Sequence, residues 1–160
     1  MLTASPACYK IIKDFESCKL AAYPDPLTKA DPWTIGWGAT GKTIVKGLVW
    51  TQTQADARLI ADVKVREAEL NRLLGDTATT QNQFDALLSF GFNVGIFDVV
   101  RRDGTRKTKL QGSTLLKLHR AVRYAGAAEQ FALWINKGTS VENGLRRRRA
   151  AEAALYRGLA

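Results

Sequence analysis

The stretch from Asp14 to Gly38 constrains this chain most, because it joins a helix end to a glycine-marked strand through a proline-rich turn. Ser5-Pro6 opens the helix, with serine as N-cap and proline in the first turn. Ile11, Ile12, Phe15 and Cys18 then recur at helical spacing and predict a buried stripe. Glu16 stands one turn beyond Ile12, on the edge of that stripe. A carboxyl group half-withdrawn from water there is suited to general acid work. Further on, Trp33, Ile35 and Trp37 alternate with Thr34, Gly36 and Gly38, the period of a strand with one apolar face. Thr34 is thus expected to point away from the tryptophans, with two glycines beside it leaving room for a ligand. Between them, Tyr23-Pro24-Asp25-Pro26 reads as a turn that holds Asp25 in a non-helical setting.

A lone glutamate near a helix end more often just pairs with a basic residue. A glutamate, an aspartate in a turn and a threonine on an open strand face together can hold an acid, a base and the water between them. That is the apparatus of glycoside hydrolysis.

The remaining chain supplies a frame for such a site. Thr51 or Thr53 opens a long helix that reaches about Leu74 and stops at Gly75. Its apolar positions Leu59, Val63, Leu70 and Leu73 form a narrow stripe among many charges, as in a helix that bridges two lobes. Lys42 to Val49 reads as a short strand or turn region. Thr80-Gln81-Asn82-Gln83 starts a helix in which Phe84, Leu87, Leu88, Phe90, Phe92 and Val94 cover nearly every side, so it should be central and buried. Ser113 caps another helix; Ala125 to Ile135 forms the next, anchored by Phe131 and Trp134, and the last runs from about Asn143 to Tyr156. Asp98 to Gln111 is read as a long polar loop with a turn at Asp103-Gly104.

The net charge of +9 is concentrated. Arg101 to Arg123 holds eight Lys or Arg against Asp103 alone, and Arg146 to Arg149 is an unbroken run. Such a face is drawn to polyanions, nucleic acid and a bacterial wall among them, although a basic run is commonly just a solvated surface. No segment approaches the roughly 18 to 20 apolar residues of a membrane span. Met1 to Lys10 lacks the pattern of a secretory signal, so accumulation in the cytoplasm is expected. Cys8 and Cys18 fall ten residues apart on one expected helix, about 15 Å of rise, which separates them too far for a disulfide. Both read as small buried hydrophobes. His119 reads as a helix-surface residue, and with one histidine and no cysteine cluster no metal is expected.

The residues Glu16, Ala22-Tyr23-Pro24-Asp25 and Trp33-Thr34-Ile35-Gly36-Trp37-Gly38 resemble the signature of the phage-type lysozymes, the endolysin muramidases of glycoside hydrolase family 24. Gln83 to Phe90, Phe92-Asn93-Val94-Gly95, Ser113 to Leu116, Gly144-Leu145, Arg148-Arg149 and Ala151-Glu152 are similar to further motifs of that family, in its order. The chain departs from the pattern in a longer hairpin carrying Asp31, in Ala39 where many members have histidine, and in a basic insertion between Gly95 and Ser113.

The resemblance implies an α+β, lysozyme-like fold, with a small β-hairpin lobe and a larger all-helical lobe joined by a long helix. One domain over 1–160 is expected, with the catalytic lobe at about 14–55 and the connecting helix at about 51–74. The helical lobe then covers about 75–160 plus the N-terminal helix. Hydrolysis of the β-1,4 bond between N-acetylmuramic acid and N-acetylglucosamine is implied, by inversion and without a cofactor. Glu16 would be the acid, Asp25 the base and Thr34 the holder of the water, with Asp31 a competing carboxylate. Gly38, Phe92, Asn93 and Thr114 would meet sugar, helix capping being the alternative for Asn93 and Thr114. Arg148, or Arg147, would pair with Glu16. The implied partners are peptidoglycan strands, with no nucleic acid and no stable membrane insertion. A monomer is expected, released by a holin from the host cytoplasm to the periplasm and wall. A lytic transglycosylase and a non-enzymatic basic module are the rival readings. The basic insertion is expected near the rim of the sugar cleft.

Overall fold

The computed structural model describes residues 1–24 and 31–159. Helix α1 (Pro6–Phe15) begins where Ser5 Oγ accepts from the Ala7 N–H. Cys8, Ile11 and Ile12 bury its inner face. The helix stops at Phe15, and Glu16 turns extended (φ −103°, ψ 124°). Cys18 therefore lies beyond the helix, half-buried and 3.9 Å from the Gln52 side chain, rather than on the apolar stripe. Both cysteines are free thiols, and burial pushes Cys8 well above the usual thiol range.

Three short antiparallel strands follow: β1 (Lys19–Tyr23), β2 (Thr34–Gly36) and β3 (Ala39–Thr40), in that spatial order. Tyr23 pairs with Thr34, and Thr34 with Thr40. Ile35, Ala39 and Ile44 form a small core of their own, with Trp33, Leu48 and Trp50 packed around it. Gly36 belongs to that packing. A Cβ there would meet the Trp50 ring at 3.2 Å and the Ala55 Cβ at 3.3 Å. Of the two glycines expected to leave room for a ligand, only Gly38 is exposed.

Helix α2 (Gln52–Leu74) starts in a capping box between Thr51 and Gln54 and ends at Gly75. Its N-terminal end packs on β2, and its Leu59, Val63, Leu70 and Leu73 enter the large core. The narrow apolar stripe thus faces the large core, while Ala55, one turn into the helix, packs beside Gly36 of the small sheet. Helix α3 (Gln81–Val94), capped by Thr80 and Gln83, is buried from Gln83 to Gly91 and forms the centre of that core. Phe92 and Val94 are only half-buried, because the last turn of α3 emerges at the surface.

After α3 the expected polar loop is instead a hairpin, β4 (Val99–Val100) paired with β5 (Arg106–Lys107). Its turn holds Gly104 at φ +80°, with the Asp103 side chain accepting from the Thr105 N–H at 2.9 Å. The hairpin's base is set by Asp98, which accepts from the backbone N–H groups of Lys109 (2.7 Å) and Gly112 (3.1 Å) and pairs with Arg106.

Helices α4 (Thr114–Arg120), α5 (Tyr124–Gln130) and α6 (Glu142–Tyr156) close the large lobe. The segment expected to be helical from Ala125 to Ile135 tightens to a 3₁₀ turn at Phe131–Leu133 and ends there, with Phe131 buried and Trp134 half-buried. His119 is fully buried, contrary to the surface placement expected for it. It lies one turn after Leu115 and Leu116, on the same buried face.

Candidate active site

Glu16 ends α1, and its own N–H still bonds the Ile12 carbonyl at 2.9 Å. Its side chain therefore leaves the helix from a fixed backbone. Glu16 Oε1 accepts from Arg148 Nη1 at 2.6 Å, with the Glu16 side chain 24% exposed and the Arg148 side chain 3%. Arg147, the other candidate partner, is exposed. Both other nitrogens of Arg148 are engaged: Nε with Glu152 Oε1 at 3.1 Å and Nη2 with the Ser89 carbonyl at 3.3 Å. Ser89 Oγ also donates to Glu152 Oε1, at 2.8 Å.

Arg149 continues this chain of contacts. Its Nη1 donates to Glu152 Oε2, its Nη2 to Asn93 Oδ1 and its Nε to the Trp134 carbonyl, while the guanidinium stacks 4.7 Å over Phe90. Desolvation draws Arg149 below the usual arginine value, opposed by the Glu152 charge. Two arginines and two glutamates are therefore joined through α6. A charge withdrawn from water is tolerated where it is paired and hydrogen-bonded, and here every one is. The run Arg146 to Arg149 is thus not a basic face. Arg146 and Arg147 are exposed, whereas Arg148 and Arg149 are internal.

Glu16 lines two neighbouring depressions. One, of about 580 Å³, runs toward the start of α6 and includes Asn143, Gly144 and Arg148. The other, of about 410 Å³, lies between Trp37–Thr40, the Arg58–Asp62 pair of α2, and Phe92 and Asn93. Asn93 lines both. A Cβ on Gly38 would lie in contact with Glu16 Oε2 at 3.8 Å, and the φ of +91° there favours glycine. Trp37 is pinned at the wall of this opening. Its indole N–H donates to Asp56 at 2.7 Å, and Lys13 pairs with the same carboxylate at 2.9 Å. Those two donors, Lys13 first, hold Asp56 below the usual carboxylate range.

Thr34 is half-buried on β2 and hydrogen-bonds the side chain of Tyr23, its cross-strand partner. Burial pushes the Tyr23 phenol up, the nearby Glu16 charge pushes it further, and the Thr34 contact acts against both. Tyr23 is thus within electrostatic reach of Glu16, while Thr34 is not among the described residues that line the two depressions. Asp25 lies outside the described residues, and so does its distance from Glu16; Asp31 is exposed before β2. Phe92 is half-buried beneath the Arg66 guanidinium, which stacks 5.1 Å over its ring.

Asn93 is not a cap but the acceptor for Arg149. Thr114 is exposed at the first position of α4, where Ser113 is the cap, and it is not among the described residues that line the two depressions. Sequence reading singled out Arg148 and Asn93 but missed what joins them, Arg149 and Glu152. Their spacing with Leu145 and Arg148 (i, i+3, i+4, i+7) is that of a buried helix face and was the available signal. Among the described residues, no group of three His, Cys, Asp or Glu side chains is placed to hold a metal ion.

A mixed fold with a three-stranded sheet beside a helical lobe, and a carboxylate between them, defines a lysozyme-like protein. The phage lysozyme family model matches residues 13–152, and the chain belongs to that family. It is 37% identical to the endolysin of Bacillus phage PZA over 152 residues, covering 95% of this chain and 54% of that protein. The chain spans about half the length of several of the curated relatives it matches. Among solved structures, it resembles the endolysin from Escherichia coli O157:H7 phage FAHEc1 (TM-score 0.77, 35% identity, 97% of this chain and 93% of that one). It also resembles the muramidase domain of SpmX from Asticaccaulis excentricus (TM-score 0.79, 33% identity, 98% of each chain).

Proposed function

We propose that the protein is a phage endolysin that hydrolyses the β-1,4 bond between N-acetylmuramic acid and N-acetylglucosamine in peptidoglycan. The observation that carries this reading is the placement of Glu16. Its carboxylate is anchored by Arg148, stands where two depressions meet, and faces Gly38 across an open approach. A glycan lying along the two depressions passes its scissile oxygen over Glu16, which donates the proton to the leaving group. Asp25, ionised, activates a water on the other face of the sugar, and Thr34 holds that water through its hydroxyl. The reaction inverts the anomeric centre in this scheme, so Glu16 and Asp25 should stand roughly 6.5 to 9.5 Å apart.

Phe92 and Asn93 sit where the sugar would pass, and Gly38 keeps the strand low beside it. The exposed Thr114 would touch only an extended strand. The enzyme acts as a monomer on the wall after a holin releases it from the host cytoplasm. No helix among the described residues is long and apolar enough to cross a membrane.

The test is turbidity loss of Gram-negative cells stripped of their outer membrane, together with mass spectrometry of the released sugars. The parent should clear the suspension and leave reducing ends, whereas Glu16→Gln should lose at least about 10²-fold in rate. Products ending in 1,6-anhydro sugars would sink the hydrolase reading in favour of a transglycosylase.

A further inference from the structure

We propose that Lys107 and Lys109, on the β4–β5 hairpin, form a carboxylate-recognising wall that binds the peptide stems of the glycan. The proposal rests on the peptidoglycan reading above and names the part of that substrate which the Glu16 site leaves unread. Between the hairpin and the segment leading into α6 lies a groove of about 640 Å³, lined by Lys107, Lys109, Trp134, Val141 and Leu145. Asn93 lines this groove as well as both depressions around Glu16, and Val141 and Leu145 line the groove and one of them, so the three adjoin. Whatever is attached to a sugar bound at Glu16 can therefore enter it without leaving the strand.

The two lysines are placed for an anion that the protein itself does not provide. Arg106 beside them is paired with Asp98, but neither Lys107 nor Lys109 has an acidic partner among the described residues. Lys109 is half-buried with its side chain laid over Gly95, where a Cβ would meet its Cδ at 3.4 Å. Burial and the charge of Lys107 together draw Lys109 below the ordinary lysine value. Two cations that repel each other in a partly dehydrated groove gain from an added carboxylate more than a free surface lysine does. They are also held in place, because Asp98 bonds the Lys109 backbone N–H at 2.7 Å and fixes the hairpin's base.

The groove's other wall carries Leu133, Trp134, Ile135, Val141 and Leu145, which suit the aliphatic parts of a short peptide. Its concave shape admits a branch from the glycan but not a duplex or a bilayer face. A stem with free carboxylates matches the charge, and an amidated stem does not.

The experiment compares three substrates made from one wall preparation: native walls, walls with carboxyls capped as neutral amides, and glycan strands stripped of their stems. Release of reducing ends is measured for the parent, for Lys107→Gln/Lys109→Gln, for Lys107→Arg/Lys109→Arg, and for Arg101→Gln/Arg102→Gln. The last removes the same charge from the hairpin turn, away from the groove. The parent should work about three- to tenfold faster on native than on capped walls, the range expected for two partly exposed cations. The glutamine pair should erase that preference while matching the parent on stripped strands, which also reports that it is folded. The arginine pair should restore the preference, and the turn variant should keep it.

A parent indifferent to capping, or a glutamine pair that keeps the preference, overturns the proposal. Equal loss in the turn variant also overturns it, by showing a diffuse charge effect. A parent that releases no reducing ends even from stripped strands refutes the glycosidase reading itself.

Discussion

At the scale of single residues, the site depends on how few of its polar atoms are left uncommitted. Arg148 spends its donors on Glu16, Glu152 and the Ser89 carbonyl, and only a guanidinium can serve all three. Tyr23 plays a comparable part for Thr34. It stands opposite Thr34 in the sheet and bonds its side chain, which orients the hydroxyl assigned to the water. Thr34→Ala should cut the rate on glycan and leave a folded protein. Tyr23→Phe should cost up to about tenfold through the single lost hydrogen bond. The double variant should be no slower than Thr34→Ala alone, because Tyr23 acts through Thr34. Additive losses in steady-state assays would show instead that Tyr23 touches the substrate independently.

At the scale of elements, α6 fastens the two groove residues Glu16 and Asn93 to one buried carboxylate. Glu152 has no exposure and receives both arginines as well as Ser89. Removing its charge while keeping its shape leaves Arg148 and Arg149 buried with one anion too few. Glu152→Gln should therefore destabilise by about 3–5 kcal/mol. In a chain of this size that lowers Tm by about 6–20 °C. Thermal unfolding measures it, and a Tm within a degree or two of the parent would mean that the arginines find other partners or water. Activity should fall too, since both arginines position groove residues.

At the scale of the whole molecule, the packing of α4 against α6 and the loop before α3 gives stability a pH dependence. His119 Nδ1 lies 2.6 Å from the Tyr156 hydroxyl, and Nε2 lies 2.9 Å from Thr79 Oγ1. Thr79 already donates its proton to the Thr77 carbonyl, so Nε2–H must donate to Thr79 and Nδ1 must accept from Tyr156. A neutral ring satisfies both contacts, and burial lowers the His119 pKa to about 4. The unfolded chain takes up this proton at about 6.5. Stability from the neutral ring is thus complete above pH 6.5 and is lost as pH falls toward 4, on the order of 3 kcal/mol in total. The parent's Tm should drop between pH 7 and pH 4.5 by clearly more than that of His119→Gln. Parallel curves for the two proteins would remove His119 as the cause.

The sequence by itself determined what local rules govern. The caps Ser5, Thr80 and Ser113 marked helix starts, and Thr51 or Thr53 bracketed another within two residues, because a side-chain oxygen and an orphan N–H are neighbours along the chain. The apolar stripe of α2 marked the face that enters the large core, and the motif around Glu16 singled out a carboxylate that lines two depressions. The tertiary structure alone decided which charges were surface and which were interior. Four consecutive arginines look alike in sequence, yet helical geometry sends Arg148 and Arg149 inward to a carboxylate and leaves Arg146 and Arg147 in water. His119 entered the core because Tyr156 and Thr79, far away in sequence, could satisfy both ring nitrogens. The basic insertion became a hairpin because Asp98 could gather two backbone N–H groups and one guanidinium at its base. For His119, and for the ties of Arg148 to Glu16 and Arg149 to Asn93, a polar group's place was set by a partner distant along the chain, since the cost of burying it depends on what it meets there.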